Sequence, residues 1–230
     1  MGFLITWILT GRLRDFKLKV YPSIGYILVL VVFGFINNKG FSLHELRTHA
    51  WNTRTLISTT IYSSSFLLIF ALGQLQFSDN FKAAWFYFTT PIKKPGLIFS
   101  GAYKSMLIKF YLPVAVIISI TMIFFMGFGI LPNILLGISN VCLGCMFLAL
   151  VSLRNFPFSA MQQTSQKAGT MLRAFASMAL VLSLALMHYI IFNIPVVVII
   201  SIFLSLLANW LLLDYMKNKS WAKILATYND

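Results

Sequence analysis

The chain has 230 residues, of which 59% are hydrophobic and 10% charged, with a mean hydropathy of +0.85. Soluble domains average about 45–50% apolar and about 25% charged residues, so this composition excludes a soluble globular protein and points to a polytopic membrane protein. The net charge of +13 is no argument for a nucleic-acid partner, because basic loops beside membrane spans account for it.

In chain order, the apolar stretch GFLITWIL (2–9) is far too short to span a bilayer. It lacks the basic n-region and small-residue cleavage site of a signal peptide. Two readings stay open: the inner end of a helix missing upstream, or an interfacial anchor. A short first span is expected over Val20–Ile36. Five more follow over Thr55–Leu75, Met106–Phe128, Ile130–Leu153, Leu172–Phe192 and Ile194–Tyr215. Each of these five has about 20 residues, the length a helix needs to cross ~30 Å at 1.5 Å per residue. The runs are continuously apolar and do not alternate, which favours helices over a barrel. The expected fold class is all-α, a polytopic helical membrane protein of about six transmembrane helices.

Orientation follows from the basic residues. One set of loops holds Arg12, Arg14, Lys17 and Lys19; Lys82, Lys93, Lys94, Lys104 and Lys109; Arg154, Lys167 and Arg173; and Lys217, Lys219 and Lys223. The opposite set holds only Lys39, Arg47 and Arg54. Positive loops stay cytoplasmic, so both chain ends are expected inside. The chain then reads as one transmembrane domain, 1–230. Its parts are an N-terminal segment 1–19, a bundle 20–215 containing a cytoplasmic segment 76–104, and a tail 216–230. In the tail, Trp221, Ile224, Leu225 and Tyr228 share one face of an expected interfacial helix.

Little in the chain can do chemistry. No GxxxxGK[ST] loop is present to cradle phosphates. The carboxylates Asp15, Glu45, Asp79, Asp214 and Asp230 are scattered, which argues against paired acid–base work. His44, Glu45 and His49 miss the HExxH spacing, and a solvated loop is the simpler reading. Cys142 and Cys145 lie inside an apolar run and read as small helix residues. His188 reads as a packed or interfacial histidine near the outer end of the fifth span. Ion-coupled carriers usually hold ionisable groups at the bilayer midplane, and no Asp, Glu, Lys or Arg is expected at any span centre. Ser58, Thr59, Thr60 and Ser63–Ser65 make the second span the most polar, which packing through small residues explains equally well.

The remaining signal is Ser78–Gly101. Ser78, Asp79 and Asn80 offer N-cap side chains. Phe81, Ala84, Trp85 and Phe88 then fall on one face of a helix, with Lys82, Ala83, Phe86 and Tyr87 off it. Pro91 ends that helix, and Lys93, Lys94, Pro95 and Gly96 form a basic turn. A membrane-surface helix with snorkelling lysines is the simpler physical reading; a docking element is the other.

Two segments carry a family resemblance. Arg12–Pro22 (RLRDFKLKVYP) resembles the cytoplasmic lead into a span of bacterial ABC-type exporter permeases. Phe81–Lys104 resembles a cytoplasmic loop of the same group through Lys82, Ala83, Ala84, Trp85, Tyr87, Pro91, Ile92, Pro95, Gly96, Ile98, Gly101 and Lys104. Together they cover about 35 of the 230 residues. The resemblance implies a transmembrane subunit of an ATP-driven exporter in the bacterial cytoplasmic (inner) membrane, with no catalytic residue or cofactor of its own. Its partners would be a nucleotide-binding ATPase subunit, membrane lipid, and a second copy or permease half. The ATPase contact would fall on Phe81, Lys82, Trp85, Tyr87, Pro91, Ile92, Lys93 and Lys94. Nucleotide-driven motion would lever the third span through Gly101 and Pro113. Family members look longer at the N-terminus, so the chain would be an N-terminally truncated or C-terminal portion. The alternative is a non-transporting membrane assembly or immunity protein.

Overall fold

The computed structural model describes residues 2–37, 50–90, 92, 94–161 and 164–221. Among them the chain is all-helical, with an isolated bridge between Phe77 and Ala160 in place of any sheet. The helices are α1 (Gly2–Arg12), α2 (Arg14–Asn37), α3 (Ala50–Ser63), α4 (Ser65–Gln74), α5 (Phe86–Thr89), α6 (Gly96–Met106), α7 (Leu112–Met126), α8 (Leu131–Ser152), α9 (Thr164–Ile191) and α10 (Pro195–Lys217). Five runs within them are long and apolar enough to cross a membrane: Thr53–Gln74, Gly96–Met126, Phe128–Ser152, Met171–Ile191 and Pro195–Lys217. The chain is thus a multi-pass helical membrane protein.

Punctuation residues fix where the helices start and stop. Pro113, Pro132 and Pro195 occupy first-turn positions, where a missing N–H leaves nothing unsatisfied. Gly127 ends α7 at φ 85°, a left-handed conformation that a side chain would strain, and a 3₁₀ turn over Phe128–Ile130 reverses the chain into α8. The hydroxyls of Ser63, Ser64 and Ser65 each donate to the carbonyl three residues earlier, which marks the joint between α3 and α4.

Burial ranks the helices. Thr53–Gln74 is 72% buried and forms the centre, whereas Met171–Ile191 is 17% and Pro195–Lys217 11% buried. Such exposed apolar faces are stable only against hydrocarbon or another apolar partner. Helix α8 approaches its neighbours through glycine. A Cβ at Gly137 would stand 2.8 Å from Ile61, and one at Gly144 2.4 Å from Val181. A polar clamp ties α8 to α10: Ser139 Oγ donates to Ser205 Oγ at 2.9 Å, and Asn209 Nδ2 to the Ser139 carbonyl at 3.0 Å.

One sequence expectation changes here. The third span does not begin at Met106, because the helical run extends back to Gly96 and absorbs its lead-in. Lys109, already within the expected Met106–Phe128 span, lies inside this longer run. It occupies a π-helical turn, Leu107–Tyr111, just before Pro113. Proline cannot donate to the carbonyl four residues back, and the wider turn accommodates that defect. Lys109 Nζ donates to the Trp7 carbonyl at 2.6 Å and to Thr10 Oγ1 at 2.9 Å. A cation at the C-terminal end of α1 also complements that helix's dipole. The apolar N-terminal stretch is therefore a helix laid on α6. A Cβ at Gly101 would stand 2.6 Å from the Phe3 nitrogen.

Candidate functional site: the segment between α4 and α6

The chain leaves α4 through Gln76, which binds a second loop. Its Oε1 accepts from the backbone N–H groups of Arg154 (3.0 Å) and Asn155 (2.9 Å), and its Nε2 donates to the Ser152 carbonyl at 2.7 Å. Backbone bonds from Ser78 to Ala160 and from Phe158 to Leu75 extend the joint. Phe158 holds φ 58°, unusual for a bulky residue, and turns its ring against Phe16 of α2 at 5.7 Å.

The expected amphipathic helix differs in detail. Phe81–Trp85 is a 3₁₀ turn and only Phe86–Thr89 is α-helical. No side-chain cap bond forms at Asn80; the Ser78 hydroxyl accepts from the Asn80 N–H instead. The period of three buries Ala84 and Tyr87, while Trp85 stays 65% and Phe88 50% exposed. Tyr87, assigned off the apolar face, is the anchor. Trp85, assigned to that face, projects outward beside the exposed Lys82, and Phe88, also assigned to it, is half exposed with its ring meeting Phe156 at 5.7 Å.

The anchor is an aromatic stack. Tyr87 lies on Phe156 at 4.8 Å, and Phe156 lies on Phe99 of α6 at 5.2 Å. Trp221 meets the edge of Phe156 at 5.7 Å and donates its indole N–H to the Ile92 carbonyl at 2.8 Å. Burial pushes the Tyr87 phenol above its ordinary value. Lys94 Nζ donates to Asn218 Oδ1 at 3.1 Å, and Asn218 Nδ2 donates to Asp214. Asp214 thus accepts from Asn218 at the exposed end of α10. Gly96 closes the segment: a Cβ there would stand 2.2 Å from the Met216 carbonyl oxygen, so α6 starts in direct backbone contact with the end of α10.

Of the sequence-assigned residues, the segment thus has Tyr87 as its inward anchor, Ile92 tied to Trp221, the exposed Lys94 tied to Asn218, and Lys82 and Trp85 as outward groups, with Phe81 half-buried. Pro91, Lys93, the loop bearing His44, Glu45 and His49, and the tail beyond Trp221 lie outside the described residues. Phe99, Phe156 and Asn218 were not assigned. The aromatic run Phe156-Pro157-Phe158 inside a basic loop was the available signal for one of them.

Elsewhere, a buried polar chain crosses three helices. Asn140 Nδ2 donates to the Tyr62 hydroxyl at 2.9 Å, Tyr62 lies 3.1 Å from His188 Nδ1, and His188 Nε2 lies 3.1 Å from Asn133 Oδ1. With the ring proton on Nε2, each group donates to the next and none is orphaned. Among the described residues no three His, Cys, Asp or Glu side chains gather as metal ligands. Comparison with protein-family models, with curated proteins and with solved structures finds no match for this chain.

Proposed function

We infer that the chain is a membrane-spanning subunit of an ATP-driven exporter, worked by a separate nucleotide-binding subunit that docks on 78–101. In this reading α2 is the sixth span, both chain ends lie in the cytoplasm of a bacterium, and the membrane is the inner one. The exposed apolar faces of α7, α9 and α10 meet lipid and a second copy or permease half.

One observation carries the reading. The segment exposes Lys82, Trp85 and Phe88 together while Tyr87 locks it, through Phe156, onto α6. A surface-lying helix alone needs no such rigid tie. A push on Trp85 is passed by the Tyr87–Phe156–Phe99 stack to α6, by Gly96 to α10, and by Gln76 to the loop after α8. The orientation draws on the lysine and arginine distribution.

The test is capture from native membranes in a mild detergent. The wild-type chain is expected to bring down a nucleotide-binding subunit with ATPase activity. Lys82→Glu with Trp85→Ala is expected to lose most of it while the chain's melting temperature holds. Full retention of the ATPase by that double variant would overturn the assignment of this surface.

A further inference from the structure

The most polar helix in the bundle faces a cavity. Between α3–α4 and α9 lies a space of about 610 Å³, within the range of small-molecule sites. One wall carries hydroxyl side chains, among them Ser58, Thr59 and Ser63; the other is hydrocarbon from Phe175, Met178 and Leu182. The lining runs from Thr55 to Phe66, roughly 16 Å along the helix axis.

Two polar atoms at or beside one end of this cavity have no hydrogen-bond partner, and both are closed off from it as their side chains stand. Ser58 is 9% exposed, lines the space, and its hydroxyl has no hydrogen-bond partner. The neighbouring hydroxyls of Thr59 and Ser63 instead donate to backbone carbonyls of their own helix. One turn before Ser58 is Arg54, on the same helix face. Its guanidinium lies 4.9 Å from the ring centre of Tyr189, another lining residue, and its Nε is buried without a hydrogen-bond partner. A buried hydroxyl without a partner costs about 1–3 kcal/mol, and a desolvated guanidinium N–H costs more. Both would be relieved by one anionic group bridging the turn once the two side chains rotate toward the cavity.

We propose that this cavity binds an amphiphile with an anionic head and a single acyl chain, the head held by Arg54 and Ser58 and the chain lying between α3–α4 and α9. The shared chemistry of the head is a carboxylate or a phosphate. Guanidinium binds either through paired N–H donors. The cavity shares no residue with the Phe81–Thr90 element, so the site stands or falls separately from ATPase docking.

The test uses the full chain in nanodiscs of zwitterionic lipid and a diazirine-bearing fatty acid as probe, with labelled residues mapped by mass spectrometry. Labelling is expected on α9 between Phe175 and Tyr189. It is expected to be competed by oleate or by lysophosphatidate, and whichever competes more strongly names the headgroup. Monoolein, equally long but uncharged, is expected to compete about tenfold less well. Arg54→Gln is expected to weaken oleate about tenfold and to erase its advantage over monoolein, while Arg54→Lys restores part of it. Ser58→Ala is expected to weaken oleate about threefold without lowering the melting temperature, since it removes an orphaned hydroxyl. Ala185→Trp, which fills the cavity, is expected to abolish labelling. Labelling outside the cavity, monoolein competing as well as oleate, or Arg54→Gln and Ala185→Trp both labelling like wild type would each overturn the proposal.

Discussion

Tyr87 shows how one side chain can anchor an element while its own polar atom goes unused. Its hydroxyl is buried and has no hydrogen-bond partner, so the ring supplies the stability and the oxygen a desolvation cost. Tyr87→Phe is expected to leave stability unchanged or raise it by about 1 kcal/mol. Tyr87→Ala is expected to cost about 3–4 kcal/mol through the void beside Phe156. Melting in detergent separates the two. The pH dependence has a definite sign. Burial raises the folded-state pKa of this acid, so the neutral phenol favours folding. That contribution is complete below the ordinary tyrosine value of about 10 and is lost as pH rises beyond it. The Tyr87→Phe protein is expected to lose less stability than wild type between about pH 9 and 11.

Among the elements, the α1–α6 crossing depends on the absence of a side chain. Gly101→Val drives a branched carbon into the Phe3 backbone, and α1 must lift off. Amide exchange in Phe3–Thr10 is expected to quicken at least tenfold, as a helix this short is marginal alone. Gly73→Ala, where nothing lies within 4 Å of the added carbon, is expected to change nothing there. The long apolar helices were legible because unbroken hydrophobic runs and first-turn prolines are local signals. The inward face of Phe81–Thr90 was not. Its sequence is aromatic on every side, so helical spacing selects no face, and the deciding partner, Phe156, lies far along the chain. The partner of Lys109 was not legible for another reason: only the packing of α1 reveals a carbonyl waiting for it. The Asn140–Tyr62–His188–Asn133 chain joins three helices, and no spacing within one of them announces it.

At the level of the whole molecule, the inferred six-span orientation puts the turns at Asn80 and Asn193 on opposite sides of the membrane. Cys142 and Cys145 lie within α8, the first half-buried and the second buried, and both can be replaced by alanine to give a blank background. In it, Asn193→Cys is expected to react with an impermeant maleimide added to intact cells, and Asn80→Cys only after the membrane is opened. Reaction of both from outside would exclude the orientation, and with it an ATPase on the Trp85 surface.

The π-helical turn at Leu107–Tyr111 sets the rotational phase between the two halves of one long helix. Each residue advances a helix by about 100°, so one extra residue in a turn re-aims everything beyond it. Below the turn, α6 offers Gly101 to α1 and Phe99 to the aromatic stack. Above it, α7 offers Ala115, Ile118 and Met122 to the interior. Deleting Ile108 would remove the extra residue, restore a regular ladder and leave those three residues facing the interior, whereas deleting a residue from the regular ladder of α7 would swing everything beyond it by about 100°. The two ends of this helix can therefore be matched to different neighbours independently, and the turn is the place along it where the loss of one residue leaves the rest of the bundle in register.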